Sequence, residues 1–132
     1  MDFNLSIGMN AEKIEPVTNA NTAIKFGSGA VAVYATPAMV GLMEGACVAV
    51  VDPFLPEKMA TVGIDLSIKH LAATPVGMTV RAVAELAEID GKRLIFKVEA
   101  FDNKEQIGRG THERYIIDTE KFLQKAEAKL IK

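Results

Sequence analysis

Glu44 is the residue whose type and position in this chain most strongly suggest chemistry. It is the only formal charge in residues 35–51, which read ATPAMVGLMEGACVAVV. A helix that is apolar on every side belongs in a core, where an ionised carboxylate costs roughly several kcal/mol unless something compensates it. Glu44 is therefore expected to be paired, protonated or facing a cavity that holds a substrate. The last of these makes the chain an enzyme candidate.

His70 is a second titratable group on a predicted core face. Residues 62–72 alternate in polarity, which predicts a strand. Its apolar face carries Val62, Ile64, Leu66, Ile68, His70 and Ala72. Since the apolar helix must pack on that face, Glu44 and His70 are expected to point into one interior, as a general base and its partner do. The alternative is a core histidine bonded to a backbone carbonyl.

Thr36 and Gly77 each have a structural and a chemical interpretation. Thr36 precedes Pro37, so it is either a helix N-cap or a catalytic hydroxyl. A regular helix would place it roughly 12 Å from Glu44, too far for direct contact. Gly77 ends the turn after His70, where glycine serves the turn or allows close approach of the backbone to a ligand.

The segment 108–114, GRGTHER, contains the second histidine and an arginine. His112 is interpreted as structural or exposed, because its strand face is not clearly apolar. Arg114 is expected either to meet a phosphate or to pair with a carboxylate, with the pair preferred. Cys47, the only cysteine, is interpreted as a small buried apolar residue. Two histidines and one cysteine, widely spaced, argue against a metal site.

Composition excludes several classes of protein. With 132 residues, the chain is expected to form one domain, and a net charge of −2 gives no footprint for nucleic acid. The longest apolar run is interrupted by Glu44 and falls short of the ~20 residues that span a bilayer, so no membrane association is expected. The N-terminus does not resemble a signal peptide, and a single cysteine fits a cytoplasmic location.

The remaining pattern predicts an antiparallel sheet curled around the apolar helix. An irregular first strand is expected in residues 3–17, and alternating strands in residues 78–89 and 92–101 flank the hairpin signal Asp90-Gly91. A last strand is expected in residues 106–117. An amphipathic C-terminal helix, capped by Asp118 or Thr119, should follow. The predicted fold class is α+β.

Three segments of the chain together resemble one known family. They are Thr36 with AMVGLME at 38–44, HLAATPVG at 70–77, and GTHER at 110–114. In this order they resemble the fluoroacetyl-CoA thioesterase family of the hotdog-fold thioesterase superfamily. The resemblance runs from about residue 34 to residue 122.

The resemblance implies a hotdog domain over residues 1–132 that hydrolyses acyl-CoA thioesters without a separate cofactor or metal. It implies a homodimer, with a tetramer left open. The implied catalytic residues are Thr36, Glu44 and His70, and the implied substrate-binding residues are Gly77 and Arg114. Glu44 would be either the nucleophile or the general base. An acyl-thioester hydratase or dehydratase and a non-catalytic acyl-CoA binding protein are the alternatives on this fold.

The chain departs from the family pattern just before Thr36. The family's characterised member carries an aromatic-rich lid there, whereas residues 27–33 of this chain read GSGAVAV. We therefore expect short or medium acyl-CoA thioesters to be hydrolysed without selectivity for the fluoroacetyl group.

Overall fold

A computed structural model describes residues 3–131, in which five strands form one antiparallel sheet of order β1-β3-β4-β5-β2. The strands are β1 (Asn10–Pro16), β2 (Met59–His70), β3 (Thr79–Asp90), β4 (Arg93–Phe101) and β5 (Gln106–Asp118). The helices are α1 (Ala23–Phe26), α2 (Thr36–Val51) and α3 (Thr119–Glu127). The predicted α+β architecture is confirmed, including the β3–β4 hairpin, in which Asp90 pairs with Arg93.

Helix α2 begins one residue earlier than the sequence predicts. Ala35 is the N-cap, Thr36 is the first helical residue, and the side chain of Thr36 makes no capping hydrogen bond. The interpretation of Thr36 as a cap is therefore wrong, and its hydroxyl is free for another partner. The helix ends as expected before Asp52-Pro53, where a 3-10 turn follows.

Helix α2 packs mainly on β1 and β3, the two strands at one end of the sheet, and less on the central strand β4. Its buried residues are Ala38, Met39, Met43, Ala46, Cys47, Val50 and Val51. Gly41 and Ala49, on the opposite side, are exposed, and Leu42 and Val48 are partly exposed. Within one chain, the expectation of a helix buried all round is therefore met on one face only. The segment Thr36–Phe54 has the length and hydropathy of a membrane span, but it is this core helix.

A β-bulge interrupts β2 between Gly63 and Asp65. Residues directly opposite one another in an antiparallel pair share a face. Ahead of the bulge, Gly63 is opposite the buried Arg114; beyond it, Leu66 is opposite the buried His112. Before the bulge, the odd-numbered residues of β2 therefore face the helix. After the bulge, the even-numbered residues do.

The bulge changes part of the predicted core face of β2. The prediction is right for Leu66, Ile68 and His70. It is wrong for Val62, which is opposite the exposed Tyr115 on the outer face. A strict alternation read along the sequence cannot register the extra residue that a bulge inserts. Consequently, Gly63 lies on the face toward the helix, although the alternation predicts that it lies on the opposite face.

The C-terminal helix has the predicted cap but little packing. Asp118 accepts a hydrogen bond from the backbone N–H of Lys121 at 3.0 Å, which selects Asp118 over Thr119 as the N-cap. Phe122 and Leu123 remain exposed on α3. The functional residues must therefore be sought where α2 meets β2 and β5.

The close approach of β2 to β5 depends on Gly110. A Cβ at this position would overlap the main chain of Ser67 and Ile68. Gly110→Ala is therefore expected to lower the free energy of unfolding by about 2 kcal/mol or more, as overpacking does. Urea unfolding measures the change. The control is Gly41→Ala, whose new Cβ would meet no described atom within 4 Å and which should gain up to ~1 kcal/mol. Equal stability of the two variants would contradict this account.

Candidate active site

Thr36 and His70 form a direct contact between the start of α2 and the end of β2. The Oγ1 atom of Thr36 lies 2.7 Å from Nδ1 of His70, a hydrogen bond whose direction depends on the histidine tautomer. This contact explains why Thr36 does not cap its helix. The hydroxyl is instead positioned by, or positions, an imidazole.

The other ring nitrogen of His70 has no partner among the described residues. Its Nε2 atom is buried and makes no hydrogen bond with any of residues 3–131. Buried polar atoms are nearly always satisfied in folded proteins, so an orphan nitrogen calls for an explanation such as a catalytic role. His70 also lines a cavity of about 410 Å³ whose walls are mostly small side chains. They include Ala23, Ser28, Ala72 and Ala73.

Glu44 lies in a second cluster, farther along α2. Its Oε2 atom is 3.8 Å from Nη1 of Arg114 and 3.9 Å from Nε2 of His112. The side chain of Arg114 is 8% exposed and that of Glu44 is 42% exposed, so the carboxylate remains accessible while its counter-charge is buried. Of the three states expected for Glu44, the geometry supports pairing, and the preferred pairing of Arg114 with a carboxylate is observed.

His112 is buried in this cluster, so of its two interpretations, structural or exposed, the exposed one is wrong. Its Nδ1 atom lies 2.8 Å from the carbonyl oxygen of Asp65, and its Nε2 atom lies 3.0 Å from Nη1 of Arg114. The face of β5 that carries His112 also carries two glycines and Arg114, a composition that does not indicate a core. In the fold, this face is buried, and the side chain of Arg114 packs there beside His112.

Gly63 is the functional-site residue that sequence reasoning missed. A Cβ there would lie 2.9 Å from Cε1 of His112 and 3.3 Å from Oε2 of Glu44, so only glycine leaves room for this cluster. Together with Glu44 and His112, it lines a cavity of about 410 Å³. The available signal was a glycine in an otherwise side-chain-rich strand, which often marks a bulge or a close approach.

Gly77 occupies a turn and has its N–H engaged. It adopts φ +104, a conformation that favours glycine, and its N–H donates to the carbonyl oxygen of Val17 at 3.0 Å. The turn therefore explains this glycine. In this arrangement its N–H is not free to polarise a thioester carbonyl.

Glu44 and His70 do not form a pair within one chain. Glu44 lies beside Gly63, seven residues before His70 on β2. It is also about 12 Å along α2 from Thr36, which contacts His70. Both groups lie on the helix side of the sheet, as expected, but within a single chain they are not neighbours. The bulge and the length of β2 place them in two half-sites, one at Thr36–His70 and one at Glu44–Gly63–His112–Arg114.

Neither half-site has the ligands of a metal centre. Within residues 3–131, no group of three or more His, Cys, Asp or Glu side chains is arranged to hold a metal ion. Cys47 is buried, and burial raises the pKa of its thiol to about 12, which keeps it protonated and unreactive. The polar groups that the two clusters offer are a carboxylate, a hydroxyl, two imidazoles and a guanidinium.

Comparison with known proteins decides the family. Residues 17–120 match the model of the FlK family, described as fluoroacetyl-CoA-specific thioesterase. The chain belongs to this family. The fluoroacetyl-CoA thioesterase of Streptantibioticus cattleyicolor is 46% identical over 97 residues, which cover 74% of this chain and 70% of the relative. The resemblance inferred from the three motifs is confirmed, and the chain is a thioester hydrolase of the acyl-CoA thioesterase class.

Solved structures agree with this assignment to the FlK family. A crystal structure of the fluoroacetyl-CoA thioesterase FlK superposes with a TM-score of 0.91 at 36% identity, covering 96% of this chain and 98% of that chain. A thioesterase superfamily member from Thermus thermophilus gives 0.85 at 30% identity, covering 95% of each chain. A hot-dog-like protein from Thermanaerovibrio acidaminovorans gives 0.87 at 23% identity, over 100% of this chain and 98% of that one, and shares the fold.

Both histidines favour their neutral forms in the folded chain. Burial lowers the pKa of His70, although the Ala72 backbone opposes this. The pKa of His112 is likewise lowered by burial, with a further contribution from Arg114, against the opposing effects of Asp65 and Glu44. Both values therefore lie below the ordinary histidine value of about 6.5, which holds for the unfolded chain.

This difference predicts a loss of stability on acidification. Between the folded and unfolded pKa values the unfolded chain binds more protons, so the free energy of unfolding should fall as pH drops below about 6.5, by at most ~1.4 kcal/mol per pH unit for each histidine. Chemical unfolding between pH 7.5 and 5.5 measures the slope. His70→Gln and His112→Gln should each reduce it. A slope that both variants leave unchanged would contradict the prediction.

Proposed function

We propose that this FlK-family thioesterase hydrolyses short or medium acyl-CoA thioesters as a homodimer, with each active site formed by two chains. Thr36 and His70 would come from one chain, and Glu44, held by Arg114, from the other. The observation that carries this proposal is the separation of the two half-sites within one chain. Glu44 lies about 12 Å along α2 from Thr36, which contacts His70, so these groups of one chain cannot act on one carbonyl.

The exposed edge of the sheet supports a dimer. Strand β2 lies at the edge with one neighbour, β5, and its residues Ile64 and Leu66 are exposed apolar side chains. An uncovered apolar edge favours pairing with a second copy. In an antiparallel pairing of two β2 strands, the His70 end of one chain runs back along the Gly63 end of its partner.

The composite site would perform hydrolysis by familiar acid–base steps. Glu44 can remove a proton from water, whose oxygen attacks the thioester carbonyl, or it can attack the carbonyl itself to form an anhydride that water then cleaves. Either route breaks the carbon–sulfur bond and releases the acid and the thiol. When Nδ1–H of His70 donates to Thr36, the unpartnered Nε2 carries a lone pair. It can take up the proton released from water, and the resulting imidazolium can protonate the leaving thiolate.

A screen of acyl-CoA thioesters with a thiol-trapping reagent tests the activity. Acetyl-, butyryl- and longer acyl-CoA should each release CoA in proportion to enzyme. Crotonyl-CoA separates the alternatives, because a hydratase adds water across its double bond and releases no thiol. Binding without turnover of any thioester would favour a non-catalytic acyl-CoA binding protein.

Subunit complementation tests the composite site. Glu44→Ala and His70→Ala should each lose about a hundredfold or more in turnover, since each removes an acid–base group. A heterodimer of the two variants retains one intact site, so random mixing should restore about a quarter of the wild-type rate. A mixture of Glu44→Ala with Glu44→Gln is the control and should stay inactive. No recovery from the first mixture would place the whole site within one chain.

A second prediction concerns the acyl group. Besides Thr36 and His70, the cavity is lined mostly by alanine, serine and valine, with Tyr34 and Leu71 as the larger side chains. Val31, in the segment before Thr36, is 63% exposed. Discriminating a single fluorine requires a closely fitted pocket, because so small a substituent offers little binding energy. The ratio of kcat/KM for fluoroacetyl-CoA to that for acetyl-CoA should therefore stay within roughly tenfold. A ratio near a thousand would show that another part of the chain builds a selective pocket.

A further inference from the structure

The guanidinium of Arg114 is held by three separate acceptors. Its Nε donates to Oγ1 of Thr61 at 2.8 Å, its Nη2 to the carbonyl oxygen of Thr61 at 2.8 Å, and its Nη1 contacts Nε2 of His112 at 3.0 Å. The Thr61 hydroxyl in turn donates to Asp52 Oδ1 at 2.7 Å. These contacts fix the plane of the guanidinium and direct Nη1 toward Glu44.

The neighbours of His112 determine its tautomer. A carbonyl oxygen can only accept, so the contact with the Asp65 carbonyl requires the proton of His112 to be on Nδ1. A guanidinium can only donate, so Nε2 of His112 must present its lone pair to Arg114. Both requirements are met by one neutral form, and a second proton on Nε2 would oppose the N–H of Arg114.

The carboxylate of Glu44 is held by charge and not by a direct hydrogen bond. The 3.8 Å between its Oε2 and Nη1 of Arg114 is within ion-pair range but too long for a hydrogen bond. Its oxygens therefore keep their lone pairs for water or for a carbonyl carbon. Other charged or titratable groups near this cluster are Cys47 on the same helix, Asp65 on β2 and Asp52 after α2.

We propose that His112 is a positioning residue for the reaction: as a neutral acceptor it turns Arg114 toward Glu44, and Arg114 holds the reacting carboxylate beside Gly63. This role rests on the proposed function, in which Glu44 attacks or activates water. In this proposal Arg114 acts on the reaction only through Glu44, because each nitrogen of its buried guanidinium already contacts Thr61 or His112. His112 acts through Arg114 and does not touch the substrate.

Two substitutions distinguish the roles of the two ring nitrogens of His112. In His112→Gln the side-chain oxygen can take the place of Nε2 and still accept from Arg114. In His112→Asn the shorter amide takes the place of Nδ1, so it keeps the bond to the Asp65 carbonyl but offers Arg114 no acceptor. A positioning role through Arg114 therefore predicts that glutamine rescues and asparagine does not.

The measurement is kcat and KM for a short acyl-CoA in wild type and both variants. His112→Asn should lower kcat about tenfold or more with little change in KM, whereas His112→Gln should stay within about threefold of wild type. Thr61→Val removes a different acceptor of Arg114 and should also lower kcat. The control is Glu113→Gln, which lies between the two residues on β5 but pairs with Arg93 on the outer face. It should retain wild-type turnover.

Three results would overturn the role of His112. They are wild-type kcat in His112→Asn, equal losses in His112→Asn and His112→Gln with intact thermal unfolding, and a ¹⁵N NMR spectrum of wild type showing the proton on Nε2. If His112→Asn does not fold, Thr61→Val and the spectrum decide instead. Absence of thioesterase activity in wild type would defeat the proposed function, a result distinct from any of these.

Discussion

The interaction on which the rest of the site depends is the ion pair between Glu44 and Arg114. An apolar helix can carry one carboxylate at the edge of its buried face only if a counter-charge is near, and the counter-charge here comes from β5. A buried guanidinium in turn needs acceptors for its own N–H groups. That need accounts for Thr61, Asp52 and the neutral His112, and it requires Gly63 to have no side chain.

Much of the fold can be predicted from the sequence because its signals are local. Thr36-Pro37 and Asp52-Pro53 bracket α2, and Asp90-Gly91 defines the β3–β4 hairpin. Glu44 and His70 stand out because charge in an apolar pattern is itself a local anomaly. The order of the strands across the sheet is also what short antiparallel connections favour for β3, β4 and β5.

The site was predicted less completely, because its geometry depends on contacts that are distant in sequence. The bulge at Ile64 reverses which face Val62 and Gly63 occupy, and strict alternation contains no trace of it. The sequence pattern gives no sign that His112 is buried, because its hydrogen-bond partner, the carbonyl oxygen of Asp65, is 47 residues away in sequence. The Thr36 hydroxyl looked like a cap because local rules do not register a histidine 34 positions later in the sequence.

In the proposed dimer, the two half-sites would divide the tasks that a thioesterase must perform. A carboxylate that reacts with a carbonyl or with water needs a fixed positive neighbour, whereas a group that protonates a thiolate must exchange a proton freely. In the proposed dimer, Arg114 of one chain would meet the first need, and the unpartnered Nε2 of His70 on the other chain would meet the second. Residues 27–33, before Thr36, lie outside the Glu44–Arg114 and Glu44–His112 contacts, so substitutions there leave the partners of Glu44 in place.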